Sequence, residues 1–130
     1  MKTDNQIVII SKAFALRIIK LYTYMREEKK EFVMSKQLLR CGTSIGANVR
    51  ESVNAQSKAD FINKLNIALK EADETQYWLE LLYESEFLNA GEFKSIYEDA
   101  SRIVGMLTKI TKPRSLMRQF NVQCSIFNVQ

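Results

Sequence analysis

The apolar positions of the chain recur every three or four residues in four separate segments, the spacing of one face of an α-helix. This spacing predicts helices over residues 5–28, 33–55, 57–86 and 89–112. Short connections place consecutive helices antiparallel to one another. The pattern therefore predicts an all-α fold, an antiparallel up-down four-helix bundle formed by residues 1–112. The remaining tail, residues 113–130, has no helical stripe and is expected to be flexible.

Each predicted helix has one apolar stripe that is expected to face the core. In chain order the stripes contain Ile7, Ile10, Phe14, Ile18, Leu21 and Met25; Leu38, Gly42, Ile45, Val49 and Val53; Phe61, Leu65, Ala68, Leu69, Ala72, Leu79 and Tyr83; and Phe93, Ile96, Ala100, Ile103, Leu107 and Ile110. Ile9 and Leu16 fall on the far side of the first helix, where the pair is consistent with a second contact face.

Polar residues before the stripes predict where the helices begin. The expected N-caps are Asp4 or Asn5, Ser57, and Asn89, and the second helix is expected to start near Ser35 or a few residues earlier. Asp60 and Glu92 follow the last two of these by three residues, the spacing of a capping box. The charged segment from Met25 to Phe32 is expected to end the first helix and to form a solvated connection.

Two glycines, Gly42 and Gly46, lie four residues apart on the second helix, beside its core stripe. Each costs about 1 kcal/mol relative to alanine in a helix interior, so some interaction must offset that cost. One explanation is the close approach of a neighbouring helix to bare backbone. The other is backbone exposed to a ligand.

A second face, away from the core, runs along the second and third helices. On the second helix it consists of small and polar side chains, and on the third it mixes Ile67 and Trp78 with two glutamates. Such a mixture is typical of a packing face for a fourth helix or for another subunit. The interface candidates are Ser44, Asn48, Glu51, Ile67, Glu71, Glu74 and Trp78.

The charges are distributed in blocks. Residues 1–70 hold 13 Lys and Arg against 6 Asp and Glu, residues 71–100 hold 1 against 9, and residues 101–130 hold 5 against none. Blocks of this kind serve antiparallel packing, self-association or polyanion binding. The nucleic-acid-binding candidates are Arg17, Lys20, Lys36, Arg40, Arg50, Lys58, Lys64 and Lys70, and the alternative is that they form solvated helix faces.

The sequence contains few of the residue combinations that catalysis requires. It contains no histidine, which removes the commonest general base and a frequent metal ligand. Glu71 and Glu74 have the i,i+3 spacing of carboxylates in di-iron bundles, but those sites use a Glu-x-x-His pair. Cys41 is interpreted as a packed thiol, and the segment 42–46 lacks the lysine and spacing of a P-loop. We therefore expect no enzyme, no catalytic residues, no metal, no cofactor and no small-molecule substrate.

The first residues do not predict a signal peptide, and no apolar run approaches the roughly 20 residues that cross a bilayer. Cys41 and Cys124 are two isolated thiols, which do not make a disulfide framework. We expect a cytoplasmic protein with reduced cysteines and no membrane partner.

One set of residues resembles a known family. The set comprises TSIGANV at 43–49, Glu51, Ser57, Lys58, Asp60, Phe61, Lys64, ALKE at 68–71 and ETQYWL at 74–79. It closely resembles the four helix bundle protein family, also called the 23S rRNA intervening sequence protein family, over roughly residues 5–112. The resemblance implies an up-down bundle that assembles as a ring, a homopentamer. It also implies a likeness in fold to the accessory variability determinants of diversity-generating retroelements, which bind nucleic acid and a reverse transcriptase.

The family has no established catalytic residues to transfer, and the tail lies outside its pattern. The combined expectation is a non-enzymatic, homo-oligomeric bundle that binds RNA or DNA through a basic surface. The alternative is a structural or protein-interaction scaffold that does not bind nucleic acid.

Overall fold

The computed structural model describes residues 2–112, with side chains from Gln6 onward. Its four helices are α1, Lys2–Glu27; α2, Met34–Val53; α3, Lys58–Glu84; and α4, Ala90–Thr111. Consecutive helices pack against each other, and α1 packs against α4, whereas the backbones of the diagonal pairs stay more than 8 Å apart between Cα atoms. This closed square of antiparallel neighbours is an up-down four-helix bundle, as the apolar pattern predicts. The prediction for the tail, residues 113–130, lies outside the described residues.

The core contains the centres of all four apolar stripes. Phe14, Ile18 and Met25 of α1 are buried. The buried apolar stripe residues of the other helices are Leu38, Ile45 and Val49 of α2, Leu65, Ala68, Ala72 and Leu79 of α3, and Ile96, Ala100, Ile103 and Leu107 of α4. Two positions of the stripes are wrong. Val53 is 57% exposed because α2 ends there, and Tyr83, whose ring stacks on Phe93 of α4 at 4.4 Å, is still 38% exposed near the end of α3.

The two helical glycines both lie where α1 approaches α2. A Cβ atom on Gly42 would lie 2.9 Å from both γ-carbons of Ile18, and one on Gly46 would lie 3.3 Å from the carbonyl oxygen of Ser11. Close approach of a neighbouring helix therefore explains both residues. It compensates the conformational cost of glycine with tighter packing of the two helices.

The caps of α3 and α4 are confirmed. The Ser57 hydroxyl accepts a hydrogen bond from the Asp60 N–H, and Asn89 and Glu92 form a reciprocal capping box. The N-cap expected for α1 at Asp4 or Asn5 is wrong, since the helix begins at Lys2. No glycine or proline interrupts this segment, so the helix continues through the two polar residues.

The connection before α2 is not simply solvated, because Glu31 is 7% exposed. Its carboxylate accepts hydrogen bonds from the backbone N–H groups of Val33, Met34 and Ser35 at 3.1, 2.9 and 2.7 Å. These are N–H groups at the start of α2 that the helix itself cannot satisfy. Glu31 therefore caps α2 from three residues before its first turn, and the helix dipole favours its negative charge.

Replacing Glu31 with alanine is expected to lower the free energy of unfolding by about 2 kcal/mol at pH 7, because three N–H groups lose a charged acceptor. Burial opposes ionisation of this carboxyl, but the N–H groups of Met34, Ser35 and Val33 outweigh it. The pKa of Glu31 therefore lies below its ordinary value near 4.5. A lowered pKa stabilises the fold above pH 4.5, and this contribution is lost as the pH falls through the folded-state pKa.

Urea unfolding followed by circular dichroism at pH 7 and in steps below pH 4.5 measures the effect. The difference between wild type and Glu31→Ala is expected to shrink as the pH falls. Glu28→Ala, which changes an exposed glutamate of the same connection, is the matched control. A Glu31→Ala protein as stable as Glu28→Ala at pH 7 would contradict the capping role.

Candidate nucleic-acid interface

Charged side chains join α2 to α3 through Arg40. Its guanidinium donates to Glu71 Oε2 at 3.3 Å and also to Glu74 Oε2. The same Glu74 oxygen accepts the indole N–H of Trp78 at 3.0 Å. The three polar residues and the tryptophan thus form one hydrogen-bonded group across the seam between the two helices.

Arg40 and Glu74 stabilise each other's charged forms. The indole N–H of Trp78 and the guanidinium of Arg40 lower the pKa of Glu74. The hydrogen bond to Glu74 in turn raises the pKa of Arg40. A carboxylate that stays ionised and an arginine that stays protonated are not poised for acid or base catalysis near pH 7.

The other interface candidates lie along the same seam. Asn48 donates from its side chain to the carbonyl oxygen of Ser44 at 2.9 Å, within α2. Glu51 pairs with Lys64 of α3 at 3.1 Å, and Ile67 is half-buried. The pairs of Arg40 and of Glu51 place Glu51, Glu71, Glu74 and Trp78 on one surface across the two helices, which we call the α2–α3 face. Ser44 and Asn48 follow Arg40 by four and eight residues on the same side of α2, and Ile67 precedes Glu71 by four residues on α3.

The nucleic-acid-binding candidates fall into two groups. Arg17, Arg40 and Lys64 form ion pairs within the chain. The guanidinium of Arg17 donates hydrogen bonds to two residues of α4, to Asp99 Oδ2 at 2.6 Å and to Ser95 Oγ at 2.9 Å. The other five form no ion pair with a residue in the described range 6–112, namely Lys20, Lys36, Arg50, Lys58 and Lys70.

The fold separates charge along the bundle axis. α1 and α3 begin, and α2 and α4 end, at the same end of the bundle. The half at this end comprises residues 6–14, 44–70 and 101–112, and it holds eight Lys and Arg against two Asp and Glu. The opposite half, residues 15–43 and 71–100, holds eight against twelve. We call the first half the basic end.

A groove between α1 and α2 opens at the basic end. Lys12 stands on its α1 side, Arg50 and Glu51 stand on its α2 side, and the open space of the groove is about 360 Å³. Small residues, among them Ala15, Gly46 and Ala47, form its floor. Gly46 thus serves the close packing of α1 and also leaves backbone at the floor of the groove.

Sequence reasoning missed four basic residues of this end: Lys12, Arg102, Lys109 and Lys112. Lys12 is far from Arg50 in sequence, and the other three belong to the last helix. The signal that brings them together is topology, because an up-down bundle places the end of α4 beside the start of α1 and α3. Counting charge by sequence blocks does not find this group.

Two further side chains that could take part in chemistry, Cys41 and Tyr97, have raised pKa values. Burial, the largest cause, raises the pKa of Cys41 to about 11, so its thiol stays protonated at neutral pH. Its sulfur lies 3.3 Å from the Thr75 hydroxyl oxygen in the core. A hydrogen bond to Glu80 raises the pKa of Tyr97 to about 12. Among the described residues, no group of three or more Cys, Asp or Glu is arranged to hold a metal ion.

Comparison with known proteins decides the family. The family model described as 23S rRNA-intervening sequence protein matches residues 3–109. The chain belongs to the 23S rRNA-intervening sequence protein family. The resemblance carried by residues 43–79 is thereby confirmed, and this family membership covers all four helices.

A solved structure supports the assignment of this chain to the 23S rRNA-intervening sequence protein family. It is the 1.70 Å crystal structure of a protein of unknown function from the S23 ribosomal protein family of Bacteroides thetaiotaomicron VPI-5482. The two chains are 56% identical, with a TM-score of 0.84, over 85% of this chain and 99% of the other. No curated protein matches this chain. No helix within residues 2–112 is long and apolar enough to span a membrane.

Proposed function

We propose that this protein is a non-enzymatic, homo-oligomeric four-helix bundle that binds RNA or DNA through its basic end. The observation that carries the proposal is the segregation of charge by the fold. Eight basic residues from all four helices share one half of the bundle with only two acidic residues. A positive field of this density attracts the phosphate backbone and releases its counterions.

The groove between Lys12 and Arg50 supports a contact to the nucleic-acid backbone rather than to bases. Both side chains are exposed, and neither forms an ion pair with another described residue. Two cations on opposite walls of a groove suit phosphates of one strand. The small floor residues offer no aromatic surface on which a base would stack. We therefore expect weak dependence on sequence and strong dependence on salt.

Self-association of the protein is supported by the α2–α3 face, where half-buried Ile67 and Trp78 lie beside ion pairs. Assembly would repeat the basic end in every copy. Several copies on one nucleic acid bind more tightly than one copy does, since the second contact is intramolecular. Repeating the basic end in an oligomer would therefore raise the affinity above what the few phosphate contacts of a single copy provide.

The alternative is a protein-interaction scaffold without nucleic-acid binding. The observation that favours it is that three of the eight candidate cations, Arg17, Arg40 and Lys64, form ion pairs within the chain. A scaffold would use the α2–α3 face for a different protein. Its basic end would then be a solvated surface.

Filter binding of the purified full chain to labelled RNA and DNA, each single- and double-stranded, tests the proposal. Binding is expected at low ionic strength and should weaken steeply as salt is added. Affinity for none of the four nucleic acids under these conditions would refute it. A specific protein that co-purifies with the chain, together with absent nucleic-acid binding, would favour the scaffold. Light scattering on the same samples measures the mass and tests self-association separately.

A further inference from the structure

One face of α1 has no partner within the bundle. Ile9, Leu16 and Ile19 are 67%, 55% and 44% exposed, although α1 packs against α2 and α4 through its other side. Three large apolar side chains on the outside of one helix form a patch rather than scattered surface residues. The helix is also basic, because residues 6–26 contain four Lys and Arg and no Asp or Glu; Arg17 pairs with Asp99 of α4, and Lys20 stays exposed beside the patch.

The outer face of α3 is the chemical complement of this patch. Tyr77 is 52% exposed, and its ring meets that of Trp78 edge-on, with centroids 5.2 Å apart. Residues 71–84 contain five Asp and Glu and no Lys or Arg. Asp73 is exposed and forms no ion pair with another described residue. Glu71 and Glu74 pair with Arg40 and Glu80 accepts a hydrogen bond from Tyr97, so the outer face of α3 offers the exposed Tyr77 ring beside the carboxylate of Asp73.

The two faces also match in height and direction. Gly42 packs against Ile18 of α1, while the neighbouring Cys41 contacts Thr75 of α3, so Ile18 and Thr75 lie at the same level of the bundle. α1 and α3 run in the same direction. If a second copy stands beside the first with its axis parallel, Leu16 and Lys20 of one copy therefore lie level with Asp73 and Tyr77 of the other.

We propose that the outer face of α1 in one copy packs against the outer face of α3 in the next, with Leu16 and Lys20 of the first copy beside Asp73 and Tyr77 of the second. This inference rests on the proposed self-association and names its contact. Pairing two α1 faces instead would bring Lys20 of one copy towards cations of the other, which is unfavourable. Because the two faces differ, the contact is heterologous and repeats from copy to copy, as a closed ring requires.

The contact extends the α2–α3 face, since Tyr77 touches Trp78. It also assigns Lys20 to a protein contact rather than to nucleic acid. Leu16, Lys20, Asp73 and Tyr77 all lie in the other half of the bundle from the basic end. The named contact and the groove between Lys12 and Arg50 thus use different residues.

Cross-linking with single cysteines tests which faces meet. The background is Cys124→Ser, which leaves Cys41 buried. Leu16→Cys and Tyr77→Cys proteins are treated with a bismaleimide separately, and then after being unfolded and refolded together. Covalent dimers are expected in the mixture and not in either protein alone. Dimers of Leu16→Cys alone, or no dimers in a mixture that light scattering shows to be oligomeric, would overturn the proposed contact.

Charge exchange provides a second test that does not depend on cross-linking. Lys20→Glu and Asp73→Lys are each expected to weaken self-association roughly tenfold in sedimentation experiments without nucleic acid. The double variant should recover most of the loss, whereas Lys94→Glu, an exposed residue of α4, should have little effect. Failure of the double variant to recover would contradict the pairing. A monomeric wild type would refute self-association itself, while filter binding still tests the basic end.

Discussion

Replacing Gly42 with leucine is expected to lower the free energy of unfolding by about 3 kcal/mol. A Cβ atom at this position would lie 2.9 Å from two carbon atoms of Ile18, whose side chain is fully buried. Those atoms are close to the backbone of a β-branched residue with little rotamer freedom, so α1 itself must move away. The added side chain would therefore separate α1 from α2 along their closest approach.

Gly105→Ala is the matched control, because a Cβ atom there meets no atom within 4 Å. This variant is expected to gain up to about 1 kcal/mol from helix propensity alone. Gly42→Ala should fall between the two, since the same gain is offset by the clash with Ile18. Urea unfolding followed by circular dichroism measures all three. A Gly42→Leu protein as stable as wild type would show that α1 and α2 do not pack as described.

Reversing the charge of both groove residues, Lys12→Glu with Arg50→Glu, is expected to reduce affinity for nucleic acid roughly 100-fold at low salt, or tenfold for each lost phosphate contact. Both side chains are exposed, so the fold should be retained. Fluorescence anisotropy with a labelled RNA, alongside a helicity measurement by circular dichroism, gives the two readouts.

The matched control carries the same change in net charge at the opposite end of the bundle. Lys36→Glu with Lys94→Glu alters two exposed lysines near the starts of α2 and α4. Its affinity should fall far less than that of the groove variant. An equal loss in the two proteins would mean that net charge, rather than the basic end, controls binding.

Much of the fold follows from local sequence. The strict spacing of Ile96, Ala100, Ile103 and Leu107 places α4, and these residues are all buried. The caps of α3 and α4 follow equally well, because a capping box depends on residues only three apart. Periodicity and capping act over one or two turns of helix, so a single segment contains the information that predicts them.

The features that sequence reasoning missed depend on distant parts of the chain. Glu31 belongs to a run of charged residues, and only the path of the connection turns its carboxylate onto the N–H groups of α2. The sequence allows two explanations for Gly42, because the packing of Ile18 against it is a tertiary contact. Helix propensity and charge patterning alone carry no information on either.

The candidate site shows the same division. The eight basic candidates come from the sequence as one group, but the register between helices pairs Arg17 with Asp99 and Arg40 with Glu71 and Glu74. The topology places Arg17, Lys20, Lys36 and Arg40 in the opposite half of the bundle, and it adds Lys12 of α1 and Lys109 of α4 to the basic end. Which cations stay available for a partner is therefore decided by packing rather than by composition.

The dependence of nucleic-acid affinity on salt, measured side by side for wild type and the Lys12→Glu, Arg50→Glu variant, tests most directly whether the basic end binds nucleic acid. In a plot of the logarithm of the association constant against the logarithm of salt concentration, each phosphate contact contributes a slope of about −0.9 on duplex DNA and about −0.7 on a single strand. Wild type is predicted to show a steep negative slope, and the variant a slope shallower by about two contacts. A flat wild-type slope, or identical slopes for the two proteins, would contradict binding at the basic end.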